Sequence, residues 1–296
     1  MPVSERPPPL HPYAVMAIGI AAVSTGAIFA RAAQAHPVVI AAYRVGLAVL
    51  FLAPLVLWKA RDELRRLGSH KLGLALLSGC FLALHFATWI SSLNYTSVAN
   101  SVLLVNTNPL WVALLNPFVT RETIGRRTRF SIMISVLGAI VIGAGDFHSD
   151  PRTLMGDGLA VVGSICAAAY LLLGRKLRGG LSLLAYVFIC YGCAAVLLWI
   201  AVAVFQLPAS GFPAATWGAF LGMALCSQLI GHSSYNWALR WVSASGVAIS
   251  LLGEPIGASL LAYLLFGEAL DAPKWIGGAM ILSGIYLSAT EKVRGR

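Results

Sequence analysis

The chain has 296 residues, of which 58% are hydrophobic and only 11% charged, with a formal net charge of +10. A soluble domain carries about a quarter charged residues, so composition argues against a soluble fold and makes a lipid bilayer the solvent to expect. The basic excess sits in short clusters between apolar runs, which argues against a nucleic-acid partner: no face combines basic residues with a soluble fold.

Crossing a bilayer takes about 20 apolar residues. Ten such runs are read in chain order, at 12–32, 37–58, 72–93, 97–119, 129–145, 157–174, 181–205, 214–238, 243–266 and 274–290. The proline-rich first ten residues read as a loose tail. Arg6, an apolar run and Ala33-Gln34-Ala35 imitate a cleavable signal peptide, but the run is longer than a signal core and is kept as the first span. Arg44 lies about seven residues into the second span, a costly depth for a charge; it either binds a substrate carboxylate or sets helix packing. His85, Trp89 and Ser92 share a face of the third span. On the fourth, helical spacing places Asn100, Leu104, Thr107, Asn108 and Trp111 on one stripe. His232, Tyr235 and Asn236 cluster on the eighth. The stripe of the ninth holds Gly246, Ser250, Gly253, Glu254 and Gly257. Polar stripes cannot face lipid cheaply, so these residues are expected against protein or a water-filled cavity. Glu254 is a candidate proton carrier or partner for a substrate amine. Pro109 and Pro255, at corresponding places in two spans, predict paired helix interruptions of the kind that mark a midplane site.

Cys80, Cys166, Cys190, Cys193 and Cys226 all fall in apolar runs and read as core residues rather than a disulfide framework. No P-loop, nucleophile constellation or metal-ligand spacing stands out, so neither an enzyme nor a cofactor is expected.

With the N-terminus in the cytoplasm, the inner segments hold Arg6; Lys59, Arg61, Arg65, Arg66 and Lys71; Arg121, Arg126, Arg127 and Arg129; Arg175, Lys176 and Arg178; Arg240; and Lys292, Arg294 and Arg296. The outer segments hold Arg31, Arg152 and Lys274. This bias predicts that both termini are cytoplasmic.

An internal repeat supports the same topology. At an offset of 146 residues, Leu93-Asn94-Tyr95-Thr96-Ser97 faces Leu239-Arg240-Trp241-Val242-Ser243. Pro109 faces Pro255, Leu114-Leu115 faces Leu260-Leu261, Glu122 faces Glu268 and Gly138 faces Gly284. Residues 1–148 and 149–296 are therefore read as two copies of a five-helix unit. An odd number of spans per copy inverts one relative to the other, the architecture of many secondary transporters.

Pro37 with Arg44, the run from Leu93 to Glu122 with Pro109, Gly158-Leu159-Ala160 through Tyr170, Gly174-Arg175, Ala238-Leu239 through Ser243, Glu254-Pro255, Gly267-Glu268 and Gly284 together resemble the EamA-type branch of the drug/metabolite transporter superfamily, and among its members the bacterial aromatic amino acid exporters. The first span departs from the family's frequent Trp-Gly pair, having Ser24-Thr25-Gly26. The resemblance implies an all-α integral membrane protein of the bacterial inner membrane. Its ten helices would surround a central cavity lined by the first, third, fourth, sixth, eighth and ninth. It also implies export of a small-molecule substrate. Few interior cations argue against phosphorylated substrates. Trp89, Trp111, Tyr170, Tyr235 and Trp237 could stack on a flat ring, which favours aromatic or large apolar amino acids. The alternative is an exporter of drugs or of neutral, nucleoside-like metabolites. A proton is the candidate coupling ion.

Overall fold

The computed structural model describes residues 7–120, 124–143, 150–266 and 272–290. Arg6, Arg121, Glu122, Gly267, Glu268, Lys292, Arg294 and Arg296 lie outside the described residues. Among those described, all regular structure is helical. The helices are α1 (Pro12–Ser24), α2 (Gly26–Ala32), α3 (Pro37–Lys59), α4 (Arg61–Arg65), α5 (Ser69–Ser92), α6 (Val98–Val105), α7 (Asn108–Val119), α8 (Arg126–Gly143), α9 (Pro151–Arg178), α10 (Leu183–Val204), α11 (Ala214–Gly222), a π-helix π1 (Met223–His232), α12 (Ser233–Ala238), α13 (Ala244–Leu251), α14 (Glu254–Phe266) and α15 (Ala272–Ala289).

Seven helical stretches are long and apolar enough to cross a membrane: Pro12–Ala32, Pro37–Lys59, Ser69–Ser92, Asn100–Val119, Pro151–Arg178, Leu183–Val204 and Ala214–Ala238. Ala244–Ala258 and Trp275–Ala289 are shorter apolar helices. α8 spends its first turn on Arg126, Arg127 and Arg129. Its apolar part, residues 130–143, is then about 21 Å long. The outer surface is greasy: Phe118 is 82% exposed and Trp58 77%. Polar side chains lie inside, among them Arg44, Ser78, Asn106, Gln228 and Glu254. That inversion of the soluble pattern is what a lipid solvent demands.

Helix starts follow local chemistry. Pro37 and Pro151 open α3 and α9, where the missing amide proton costs nothing. Asp150 caps α9 by accepting from the amides of Arg152 at 3.0 Å and Thr153 at 3.1 Å, while the Thr153 hydroxyl donates to it at 2.6 Å. Ser97 and Ser243 cap α6 and α13 identically. Each accepts from an amide three residues on, Asn100 or Gly246, at 3.1 Å. Both short helices have eight residues. The helices that follow them begin at Asn108 and Glu254, again 146 apart. Pro109 and Pro255 thus sit in the first turn of a new helix, where proline is tolerated, rather than kinking a continuous one.

Packing partners recur when the two halves are exchanged. α5 packs along α9, and α1 along π1 and α12; α7 and α6 meet α9, as α14 and α13 meet α1. α3 lies against α10, and α8 against α15. The α5–α9 pair is antiparallel, read from Lys71 donating to the Gly180 carbonyl at 3.4 Å, Ser78 to Tyr170 at 3.5 Å, His85 against Gly163 at 2.9 Å and Arg152 to Asn94 at 3.3 Å. The α8–α15 pair is antiparallel too. A Cβ on Gly138 would stand 2.6 Å from the Gly277 carbonyl oxygen, and one on Gly284 would stand 2.8 Å from that of Ser131. Glycine lets the backbones touch where lipid supplies no hydrophobic drive. From α3, Tyr43 meets Trp199 of α10 edge-on at 5.0 Å, stacks on Phe220 of α11 at 4.5 Å, and donates to the Ala209 carbonyl between them at 2.7 Å. The five cysteines are free thiols; Cys190 bonds Ser78 at 3.7 Å and the Cys80 and Cys193 sulfurs are 4.0 Å apart.

Gly138→Val should lower stability by about 1–3 kcal/mol through overpacking, seen as a reduced Tm in detergent. Gly158→Ala, whose new methyl meets nothing within 4 Å, should leave Tm unchanged or raise it. The hydrogen bonds to Asp150, that of the Thr153 hydroxyl first, hold its carboxyl below the usual carboxylate value. A depressed folded value contributes stability above the ordinary carboxylate range and loses it as pH falls through the depressed value. The Tm difference between wild type and Asp150→Asn should therefore narrow on acidification.

Candidate transport site

The two helix breaks, at Asn106–Thr107 and Leu252–Gly253, bring chain ends and their polar groups into the interior. Around them Arg44 from α3, His85 and Trp89 from α5, Tyr170 from α9, His232 from π1 and Tyr235 from α12 converge on one cavity, together with Asn106, Asn108 and Glu254. The enclosed space is about 40 Å³, room for about three waters.

Arg44 is 1% exposed. Its Nε donates to Gln228 Oε1 at 2.8 Å, and its guanidinium lies 4.0 Å from the Phe86 ring centroid and 5.8 Å from that of Trp89. A neutral amide and two ring faces thus receive the charge. Among the described residues no hydrogen bond within the protein engages the terminal nitrogens of its fork, which is the part that binds carboxylates in pairs. Glu254 opens α14, where the helix dipole favours a carboxylate. Its Oε2 accepts from Asn106 Nδ2 at 3.3 Å, and Asn106 also donates to the Val102 carbonyl at 2.9 Å. The backbone carbonyl of Glu254 accepts from Ser24 at 3.3 Å, which ties the break to α1. No ion pair joins Arg44 to Glu254.

His85 donates from Nδ1 to the Gly163 carbonyl and stacks on Trp89, with 6.1 Å between centroids and 4° between planes. His232 lies 6.2 Å from His85, 6.1 Å from Tyr170 and 5.7 Å from Tyr235. Trp89 Nε1, Asn108 Oδ1, Gln228 Nε2, His232 Nδ1 and the Tyr235 hydroxyl are buried and find no hydrogen-bond partner within the protein. Each unmade bond costs about 1–3 kcal/mol. All but Gln228 line the cavity, where a polar occupant would satisfy them.

Of the residues singled out from the sequence, Arg44, His85, Trp89, Asn108, His232, Tyr235 and Glu254 line this cavity, and Asn100, Thr107, Trp111 and Asn236 do not. The break explains the first three: α6 and α7 are separate helices, so residues 100 to 111 do not form the single stripe that an uninterrupted period predicts. Asn100 is fully buried in α6. Thr107 donates to the Leu104 carbonyl at 2.6 Å and pairs with Ser164 at 3.1 Å. Trp111 packs against the apolar core. Asn236 stands behind the cavity wall, donating to the hydroxyls of Tyr170 and Tyr191. Ser92 likewise turns away, to the Trp89 carbonyl and Ser101. Asn106 and Gln228 were missed. Each is an amide in an apolar run, and that contrast was the available signal. Gln228 and His232 ride on π1, a helix form that recurs at functional sites.

A model of the EamA-like transporter family matches twice, over residues 12–144 and 154–290. The chain belongs to the EamA-like transporter family. It is a multi-pass membrane protein and a transporter. It is similar to an uncharacterized transporter of Archaeoglobus fulgidus, 27% identical over 88% of this chain and 90% of the relative. It is also similar to the uncharacterized transporter YyaM of Bacillus subtilis, 22% identical over 86% and 84%. A protein of known crystal structure superposes with a TM-score of 0.75 at 18% identity, over 94% of this chain and 96% of its own, a likeness of fold. The family match falls in two blocks, one on either side of residues 145–153. α1 to α8 lie in the first block and the core of the second runs from within α9 through α15.

Replacing Gln228 tests how Arg44 is held. Gln228→Leu should destabilise by about 1.5–3 kcal/mol, the worth of a hydrogen bond to a charge. Gln228→Glu, which keeps an acceptor and adds a countercharge, should lose less. Tm in one detergent ranks the three proteins.

Proposed function

We propose that this transporter is a secondary carrier that exports amino acids, preferring aromatic or large apolar ones, by alternating access. In this reading the chain has ten membrane-spanning helices arranged as two inverted five-helix repeats, residues 1–148 and 149–296, around the central cavity. It lies in the bacterial inner membrane with both termini cytoplasmic, as the distribution of lysine and arginine favours.

One arrangement supports the substrate class above all. An arginine fork and a carboxylate line the same cavity without pairing to each other. A zwitterion answers both, with its carboxylate on Arg44 and its ammonium on Glu254. Trp89, Tyr170 and Tyr235 offer ring faces and edges to an apolar side chain. The present cavity is far too small for any amino acid, so loading requires the surrounding helices to part. Glu254 also suits proton coupling, since its protonation would release the substrate amine. Asn108, its counterpart at the 146-residue offset, is neutral, so a proton would act on one half alone.

The test is counterflow of labelled tryptophan and phenylalanine in proteoliposomes, with a nucleoside and a cationic drug as competitors. Saturable flux of the amino acids is expected, with Arg44→Gln reducing it at least tenfold. No saturable flux of either amino acid would reject the preference, and block by the nucleoside or drug alone would favour the exporter of neutral metabolites or drugs. An imposed pH gradient should accelerate flux in wild type but not in Glu254→Gln. Equal acceleration in both would end the proton role.

A further inference from the structure

The two ends of the molecule differ in how an equivalent pair of arginines is engaged. In the first span of each half the offset is 144: Gly19 and Gly163 both lie against the partner helix, with would-be Cβ atoms 3.2 Å from the Gly231 carbonyl oxygen and 3.4 Å from that of His85. This offset carries Arg31 onto Arg175, while the 146-residue offset carries Leu93-Asn94 onto Leu239-Arg240. At the end where α9 finishes, the site is closed. Arg175 donates to the carbonyls of Leu239 at 2.8 Å and Arg240 at 3.2 Å. Arg178 donates through Nε to the Asn236 carbonyl at 2.8 Å and through Nη1 to that of Leu181. The carbonyls of Asn236, Leu239 and Arg240 are acceptors at the end of α12, where the helix leaves them without partners. Gly174 allows the closure, since a Cβ there would stand 2.8 Å from the Tyr186 hydroxyl and 2.9 Å from Leu239. At the opposite end the counterparts stand apart. Ala30, Arg31, Ala33, Ile40, Leu93 and Asn94 line a cavity of about 260 Å³. Arg31 is exposed and, among the described residues, makes no hydrogen bond there. The Asn94 carbonyl accepts from Arg152 at 3.3 Å instead.

We propose that Arg175 and Arg31 are alternating latches on the two ends of the transport path. The cytoplasmic latch is engaged in this structure. In the opposite state Arg175 releases Leu239 and Arg240, and Arg31 takes the carbonyls of Leu93 and Asn94, which closes the outer cavity. One arginine–carbonyl contact replaces its twin, so the two end states stay close in energy. The inference rests on the carrier reading above, but its test needs no substrate.

Ala33→Cys reports the outer cavity and Leu177→Cys the equivalent inner position. Both are labelled in the full-length chain with a membrane-impermeant maleimide, from outside and from the cytoplasmic side respectively, against the native-cysteine background. Arg175→Gln should raise Leu177→Cys labelling about tenfold, the shift expected on losing a charge-assisted hydrogen bond, and lower Ala33→Cys labelling. Adding Arg31→Gln should return both rates toward the parent, because the two states then lose equal support. A purely structural cap predicts lower Tm without this reversal. Should Arg175→Gln fail to fold, Arg31→Gln alone must lower Leu177→Cys labelling by a similar factor. Rates unchanged within twofold in the folded variants, or no reversal in the double variant, would overturn the latch. Absence of amino acid flux alongside the expected labelling would instead reject only the substrate assignment.

Discussion

A helix may be interrupted inside a bilayer only where protein takes over the hydrogen bonds it gives up. The breaks at Asn106–Thr107 and Leu252–Gly253 meet this condition by different means. At the first, the Asn106 side chain donates to the Val102 carbonyl at 2.9 Å and the Thr107 hydroxyl to the Leu104 carbonyl at 2.6 Å; at the second, the amides of Leu252 and Gly253 turn back to the carbonyls of Ile249 and Ser250 at 3.1 and 3.0 Å. The interior position of the cavity, the dipoles of two half-helices and the depth of Glu254 follow from these satisfied interruptions. Proline in the first turn beyond each break makes it permanent, because that residue cannot rejoin the preceding helix's hydrogen-bond ladder.

Arg44 is the counterpart on the facing wall. Its fully buried guanidinium is held by an amide and an aromatic face and, among the described residues, by no hydrogen bond to a carboxylate. Pairing it with an acid would have bound it more firmly and left less for a ligand. The surrounding ring of unpartnered polar atoms has the same character. Stability has been given up where an occupant can restore it.

Much of this organisation was legible in the chain. The 146-residue offset predicted the equivalence of the fourth and ninth segments, and the Ser97 and Ser243 caps occupy matching positions at that offset. Periodicity failed where the helix did. Asn100, Thr107 and Trp111 look like one stripe only if the helix runs through residue 106. Pro109 and Pro255 announced an interruption, but their backbone chemistry places it upstream, not at the prolines. Gln228 showed only as an amide in an apolar run, and the π1 form that carries it leaves no mark in the sequence pattern. Arg31 served only as a marker of topology and Arg175 as that and as part of the Gly174-Arg175 pair, because a one-dimensional reading pairs residues at one constant offset and these two match at another.

The seam between α8 and α15 differs from the other contacts in being its own counterpart. Exchange of the halves turns the approach of Gly138 to Gly277 into that of Gly284 to Ser131, along the same antiparallel line. A joint of this kind has no preferred side. In the carrier reading proposed above, two bundles tilting about it would meet the same surface in either direction, and the glycine-lined crossing would be their fulcrum. Bulk added there would stiffen motion toward both faces of the membrane alike.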